Sequence, residues 1–185
     1  MVRRLTILER VVHVNEFYLI DSPTYKKLEG LKKEYENLDI ISVMLYLEIN
    51  KAYKIMKSKY DKFIEEYDLS EAKFSILMLL SYEENMTLSP SDLSKKIGNK
   101  KSTITGLVKG LEKQGLIRRV NLSNDKRSSY VQMTEIGYLK LKEFLPNNYD
   151  FVSNIFSDFD EQEKETFFHL MNKLRNKIEE DGENE

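Results

Sequence analysis

A mainly α-helical chain carrying one small β-hairpin (an α+β fold) is what this sequence predicts, and three observations predict it. Apolar residues recur at helical spacing through most of the 185 residues, and only 7 Gly and 3 Pro are present to break that pattern. One region instead reads as extended: residues 116–122 and 129–133 flank a polar turn at Ser123-Asn124-Asp125-Lys126-Arg127, as hairpin strands do. Finally, 41% hydrophobic and 32% charged residues suit a mostly helical globular protein, and 185 residues suffice for one domain, or one domain plus extensions, around a real core.

The elements follow in order. Residues 1–22 mix Val-rich and polar positions without a clean period. Ser22-Pro23 reads as a helix start, and Tyr25, Leu28, Leu31 and Tyr35 keep helical spacing to about Leu38. A stronger helix is expected over residues 38–67, with Ile41, Leu45, Ile49, Ala52, Met56, Phe63 and Tyr67 on one side. At 1.5 Å per residue it would be about 45 Å long, and a helix of that length usually packs on a partner helix, often from another subunit. Ser70 caps the next helix, which is almost uniformly apolar from Phe74 through Ile76, Leu77, Met78 and Leu80 and therefore buried.

Thr87-Leu88 is a short extended piece. Ser89-Pro90-Ser91-Asp92 then combines a cap, a first-turn proline and an acid three residues after the cap. In the short helix that follows, Leu93 and Ile97 face inward, and Gly98 ends it in the left-handed region. Asn99 caps a further helix with a buried stripe of Ile104, Leu107, Val108 and Leu111, and Gly115 ends that one. Beyond the hairpin, Thr134 caps a helix bearing Ile136, Leu139, Leu141 and Phe144, which Pro146-Asn147-Asn148 should interrupt or kink. Asp160, with Glu163 three residues on, starts a last helix bearing Phe167, Leu170, Met171, Leu174 and Ile178.

Charge is distributed unevenly over these elements. Residues 95–127 hold ten basic side chains (Lys95, Lys96, Lys100, Lys101, Lys109, Lys113, Arg118, Arg119, Lys126, Arg127) against Glu112 and Asp125, a local +8 in a chain of formal net charge −2. Residues 158–185 hold ten acids and four bases, a local −6 that reads as a solvated face and a tail. A concentrated positive face on a near-neutral protein marks a surface that sits on a polyanion.

Other chemistries find no support. With no Cys there is no disulfide framework, thiolate metal site or thiol switch. His13 and His169 are the only histidines and lie far apart, so no metal and no cofactor is expected. No nucleophile elbow, phosphate loop or acid–base constellation appears, so the chain does not read as an enzyme. Glu9, Arg10, His13, Asn15 and Glu16 break up the amino-terminal apolar residues, and no apolar run reaches the roughly 20 residues of a spanning helix. The expectation is a cytoplasmic protein with no membrane partner.

Helix, short turn, helix and charged hairpin, in that order and with that charge, describe a winged helix-turn-helix for double-stranded DNA. With Ile104, Leu107, Val108 and Leu111 turned inward, the other face of the second helix carries Lys101, Ser102, Thr105, Gly106, Lys109 and Lys113. Hydroxyls near its amino end suit base edges or phosphates, and lysines further along bind the backbone as point charges. Arg127, at the hairpin tip, suits a narrow minor groove.

These residues resemble the MarR family of transcription regulators. The run from Ser102 to Ile117 looks like that family's recognition helix and entry to the wing. Asp125-Lys126-Arg127 and Met133-Thr134-Glu135-Ile136-Gly137 are similar to its wing motif and the start of its next helix. The resemblance runs from about Leu38 to Ile178. It implies a winged helix-turn-helix with a helical dimerisation layer, acting as a homodimer on a pseudo-palindromic site and tuned by a small aromatic or apolar effector. In that frame residues 1–37 are a partly helical extension and 38–69 the first dimerisation helix. Residues 70–134 form the DNA-binding module, and 135–185 the carboxy-terminal helices of the dimer layer. The implied DNA-contacting set is Lys100, Lys101, Ser102, Thr103, Thr105, Gly106, Lys109, Lys113, Asp125, Lys126 and Arg127. In it Arg127 enters the minor groove and Asp125 positions the wing through an ion pair. The resemblance places effectors between dimer layer and winged module, where Tyr46, Tyr53, Phe74 and Tyr82 are candidate lining residues; an aromatic stripe is also what plain core looks like.

The chain departs from the family at two points. Gly106 stands where the family often has Arg, with Gly110 one turn later, each costing the helix on the order of 1 kcal/mol relative to Ala. Gly106 either permits close approach of backbone to DNA or marks a weaker base reader, and sequence leaves both open. The extension of some 37 residues exceeds the usual family length. Gly106 and Gly110 also sustain an alternative, a winged-helix module that docks an acidic protein or RNA without reading DNA.

Overall fold

Local capping chemistry sets where the helices begin, and in several places it moves a boundary away from where periodicity alone puts it. The computed structural model describes residues 23–121 and 129–182. The chain divides into two units, Met1–Phe63 and Ile64–Glu185.

In the first unit, α1 (Tyr25–Lys32) starts later than Ser22-Pro23 would place it, because the Thr24 hydroxyl accepts the Lys27 N–H at 3.4 Å. It also stops short of Leu38: Lys33, Glu34 and Tyr35 turn their N–H groups back onto Gly30 and Leu31, and Leu38 onto Tyr35. Asp39 then begins α2 (Ile40–Glu65), two residues later than the apolar period suggests. Its carboxylate accepts the Ile41 and Ser42 N–H groups at 3.1 and 3.3 Å and the Ser42 hydroxyl at 2.6 Å. Those hydrogen bonds, the Ser42 hydroxyl first, hold the carboxyl below the ordinary carboxylate range. Ile41, Leu45, Ile49 and Met56, on the apolar side of α2, are exposed.

In the second unit Ser70 caps α3 (Glu71–Ser81), as its sequence predicts. The apolar side chains of α3 meet the core, with Ile76, Leu77 and Leu80 fully buried. Then come β1 (Thr87–Leu88), α4 (Pro90–Ile97), α5 (Lys101–Lys113), β2 (Ile117–Asn121), β3 (Ser129–Met133), α6 (Glu135–Ile155) and α7 (Glu161–Gly182). The hairpin is part of a larger sheet. β1 adds to β3 with Leu88 opposite Val131, giving an antiparallel order β1-β3-β2 in which Ile117 faces Met133 and Asn121 faces Ser129.

Three helix starts are decided by one or two side chains. Ser89 caps α4 by accepting the Asp92 N–H at 3.0 Å while its hydroxyl donates to the Asp92 carboxylate at 2.6 Å. Thr134 caps α6 by accepting the Gly137 N–H at 3.1 Å, and its hydroxyl donates to the Gly115 carbonyl at 2.6 Å, joining α6 to the end of α5. Asp160 and Glu163 exchange hydrogen bonds at 2.8 and 2.9 Å at the head of α7.

Asn99 does not cap α5: its side chain accepts the Lys100 N–H at 2.9 Å, one residue too early, and the cap position falls to Lys100 without a side-chain bond. Pro146 does not interrupt α6. Leu141, Phe144 and Asn148 form one buried stripe across it, while Pro146 and Lys142 lie on the exposed side, where a freed carbonyl meets water. Packing thus carries the helix through the proline.

The second unit closes on Leu93, Ile104, Leu111, Val131 and Phe144, all fully buried, with Tyr67 and Phe74 edge-on to the Phe144 ring at centroid distances of 4.9 and 5.0 Å. Among the described residues no helix is long and apolar enough to cross a membrane.

Candidate nucleic-acid interface

α5 has two faces with different duties. Ile104, Val108 and Leu111 are buried, and Leu107 half-buried, where α5 packs on α3, α4 and β2. Lys100, Lys101, Ser102, Thr103, Thr105, Gly106, Lys109 and Lys113 are all exposed. α4 meets α5 across a sharp turn: Gly98 adopts φ +69°, and its N–H and that of Asn99 return to the Lys95 and Ser94 carbonyls.

At the amino end of α5 no side chain caps the helix, so its first-turn N–H groups lie beside Ser102 and Thr103, with Lys100 and Lys101 close by. An uncapped helix start amid lysines and hydroxyls is suited to phosphate. The Thr105 hydroxyl donates to the Lys101 carbonyl at 2.8 Å, which leaves its methyl group and oxygen lone pairs for an outside partner.

The basic residues counted in the sequence do not all join one face. Arg118 is held at the sheet, its Nε and Nη2 donating to Gln132 Oε1 at 3.0 and 2.7 Å, while Gln132 Nε2 reaches the Asn85 carbonyl at 3.3 Å. Arg119 meets Glu112 at 3.5 Å, tying β2 to α5, and Lys96 meets Glu83 at 3.4 Å. At this exposure such pairs contribute little energy, though they reduce the charge available to a polyanion. Lys100, Lys101, Lys109 and Lys113 have no ion pair among the described residues.

Sequence reasoning missed two clamps that set this geometry. The Arg118–Gln132–Asn85 bridge spans the base of the sheet. At the far end of α5, Lys73 Nζ donates to Gln114 Oε1 and Gln114 Nε2 donates to the Asp68 carbonyl, each at 3.0 Å. Their partners lie 14 to 47 residues apart in the chain, and no local signal announces such pairs.

Asp125, Lys126 and Arg127 lie outside the described residues, as does His13. His169 is exposed on α7. Of the aromatic side chains considered for a ligand, Phe74 packs against Phe144 and Tyr82 is exposed at the end of α3. Tyr46 and Tyr53, in the first unit, are exposed along α2.

Two helices across a tight turn, followed by a hairpin and presenting a lysine- and hydroxyl-bearing face, define a winged helix-turn-helix protein. The chain belongs to the MarR family of transcriptional regulators. The sequence model of the MarR family matches residues 69–129. The chain is also 33% identical over 152 residues to the HTH-type transcriptional repressor YetL of Bacillus subtilis (strain 168), covering 82% of this chain and 91% of the relative.

Solved structures share the fold. Sco3205, a MarR family regulator from Streptomyces coelicolor solved in complex with DNA, superposes with a TM-score of 0.67 at 20% identity, covering 75% of this chain and 88% of that one. The organohalide-sensing RdhR transcriptional regulator in its 2,4-dichlorophenol-bound form gives 0.65 at 20% identity, covering 86% and 88%.

Proposed function

We propose that the chain regulates transcription as a cytoplasmic homodimer that reads a pseudo-palindromic duplex site and is tuned by a small aromatic or apolar effector. The observation that carries this reading is the outer face of α5. Four lysines without an ion pair among the described residues surround three hydroxyls on one exposed helix surface. That distribution is hard to account for within the fold and complementary to a phosphate-lined groove. α5 lies in the major groove with α4 bracing it, Ser102, Thr103 and Thr105 facing base edges, and Lys100, Lys101, Lys109 and Lys113 on phosphates. Arg127 enters the flanking minor groove, with Lys126 beside it and Asp125 positioning the wing.

Dimerisation is supported by apolar residues left exposed on α2 and α7. Two-fold symmetry then requires half-sites about 34–36 Å apart, one turn of DNA, or a multiple of that. The 2,4-dichlorophenol bound by the similarly folded RdhR regulator supports a small aromatic effector.

Fluorescence anisotropy on duplexes selected from a random pool, repeated across salt concentrations, tests the reading. The expected result is enrichment of a two-fold symmetric site and a steep linear fall of log affinity with log salt. Binding to RNA or an acidic protein, with no duplex enriched, would instead establish the interaction module.

A further inference from the structure

We propose that Gly106 is a specificity-determining residue of the DNA interface, the point on α5 where bare backbone lets the duplex approach most closely. The inference rests on the DNA-binding reading above. It starts from a contrast among the three glycines inside α5 and α6; Gly30, in α1, also has open space where a Cβ would stand, so open space alone singles out no glycine. Glycine is the least favourable helix-interior residue after proline, so each position calls for a reason.

Gly137 has a reason inside the protein: a Cβ there would stand 2.0 Å from the Leu116 carbonyl oxygen. Gly110 has none of that kind, but it faces the protein, and a Cβ would make ordinary contact with the Lys73 side chain at 3.5 Å. Gly106 differs from both. A Cβ added there would meet nothing within 4 Å, and its backbone is not in the left-handed region that glycine alone favours. It is the sixth of thirteen residues in α5, so it caps nothing. Neither space, backbone conformation nor helix termination requires a glycine here.

Its surroundings say what does. Residues three and four positions away on a helix are neighbours. For Gly106 these are Ser102 and Thr103 on one side and Lys109 and Gly110 on the other, with Thr105 and Lys109 among the exposed residues nearby. Gly106 is thus a gap in the middle of the hydroxyl and lysine surface. In that surface a missing side chain has one of two effects. It removes a base contact that a longer residue would make, or it removes an obstacle and lets base edges and sugars settle against the helix backbone. Small residues suit the second role, because an apolar contact with a base edge or thymine methyl needs the helix close to the floor of the groove. The hydroxyls beside it are themselves short and reach bases only from a closely seated helix. That favours the second role.

Gly106→Ala separates these effects because it should improve the free protein while adding one methyl group to the interface. Its melting temperature should rise by about 2–4 °C, the change expected from helix propensity in a chain of this size. Its affinity for the selected duplex should fall roughly ten- to a hundredfold, the range for one lost base-pair contact, and reselection should return an altered base in each half-site. Gly110→Ala should raise the melting temperature similarly without changing affinity or site.

Undiminished binding by Gly106→Ala to the wild-type site overturns the proposal while leaving the DNA-binding reading intact. So does a lowered melting temperature, since it would place the need for glycine inside the fold. Failure of the wild-type protein to enrich any duplex overturns the reading itself.

Discussion

The winged core and the last helix use the same kinds of residue in opposite ways. Leu93, Ile104 and Leu111 are 0% exposed, whereas Leu170, Ile178 and Phe168 on α7 are 55%, 64% and 70% exposed. Burying a side chain of this size contributes about 1.5–3 kcal/mol, so the first group stabilises the fold outright and the second leaves comparable energy unrealised. Phe167, Leu170, Met171, Leu174 and Ile178 fall on one helical stripe, and with Val152 of α6 and Phe156 just past its end, Phe167, Phe168 and Met171 line an open cleft of about 460 Å³. A stripe with helical order whose residues stay 37–64% exposed is the kind of face that the proposed dimer would cover. α5 repeats the contrast within one helix, its inner face closed by the protein and its outer face open. Mutations on closed faces should therefore impair folding, and mutations on open faces should impair association alone.

The largest effect tests the closed side. Gly137→Ala drives a methyl group into the Leu116 carbonyl, where the obstacle is backbone and both α6 and the α5–β2 turn must move. A loss of at least about 3 kcal/mol, the upper end of overpacking costs, is expected. Chemical denaturation followed by circular dichroism measures it. A variant within 1 kcal/mol of wild type would show that the α6 start is not closed against the sheet at all.

What was legible in the sequence follows the same division between local and distant causes. The starts at Ser70, Ser89, Thr134 and Asp160 could be read because a cap and the backbone N–H it accepts lie within three residues of each other. The α2 start was misplaced because an apolar period cannot say where it begins, and Asp39 decides that. Asn99 has the right residue type but bonds its nearest neighbour. Of the interruption or kink expected at Pro146, the interruption does not occur, because burial at Leu141, Phe144 and Asn148, which no local rule sees, offsets the local penalty. Pairing of β1 with β3 and the Gln114 and Gln132 bridges depend on residues brought together only by the fold. The outer face of α5 was read from helical spacing once its buried stripe was known. The open space around Gly106 is set by the packing of the whole unit and leaves no mark in the local sequence.

A smaller effect tests α7. Phe168→Asp places a charge on an open apolar face, so the helix should still form while the partner surface is lost. Circular dichroism should be close to wild type. Light scattering at micromolar concentration should fall from twice the 21.9 kDa chain mass to that mass, a loss of roughly 2 kcal/mol or more of association free energy. A wild-type protein already at 21.9 kDa would refute the dimer. A variant that unfolds would show that α7 is closed against its own chain, and the comparison would fail at that point.

The smallest effect concerns the open face of α5. Lys109 lies one turn beyond Thr105, exposed and without an ion pair among the described residues. Removing it should leave thermal stability unchanged, because no packing or hydrogen bond within the described fold uses its ammonium group. On DNA the lysine acts as a mobile point charge beside a phosphate, so it adds affinity without distinguishing one base pair from another. Lys109→Ala should then weaken binding to the selected site and to unrelated duplexes by a similar factor. It should also reduce the magnitude of the slope of log affinity against log salt by about 1, because roughly one fewer counterion is released. These two measurements are independent of each other. A variant that kept the wild-type slope but preferred a different sequence would place Lys109 on a base edge. The open face would then read sequence across more of its length than the hydroxyls and Gly106 account for.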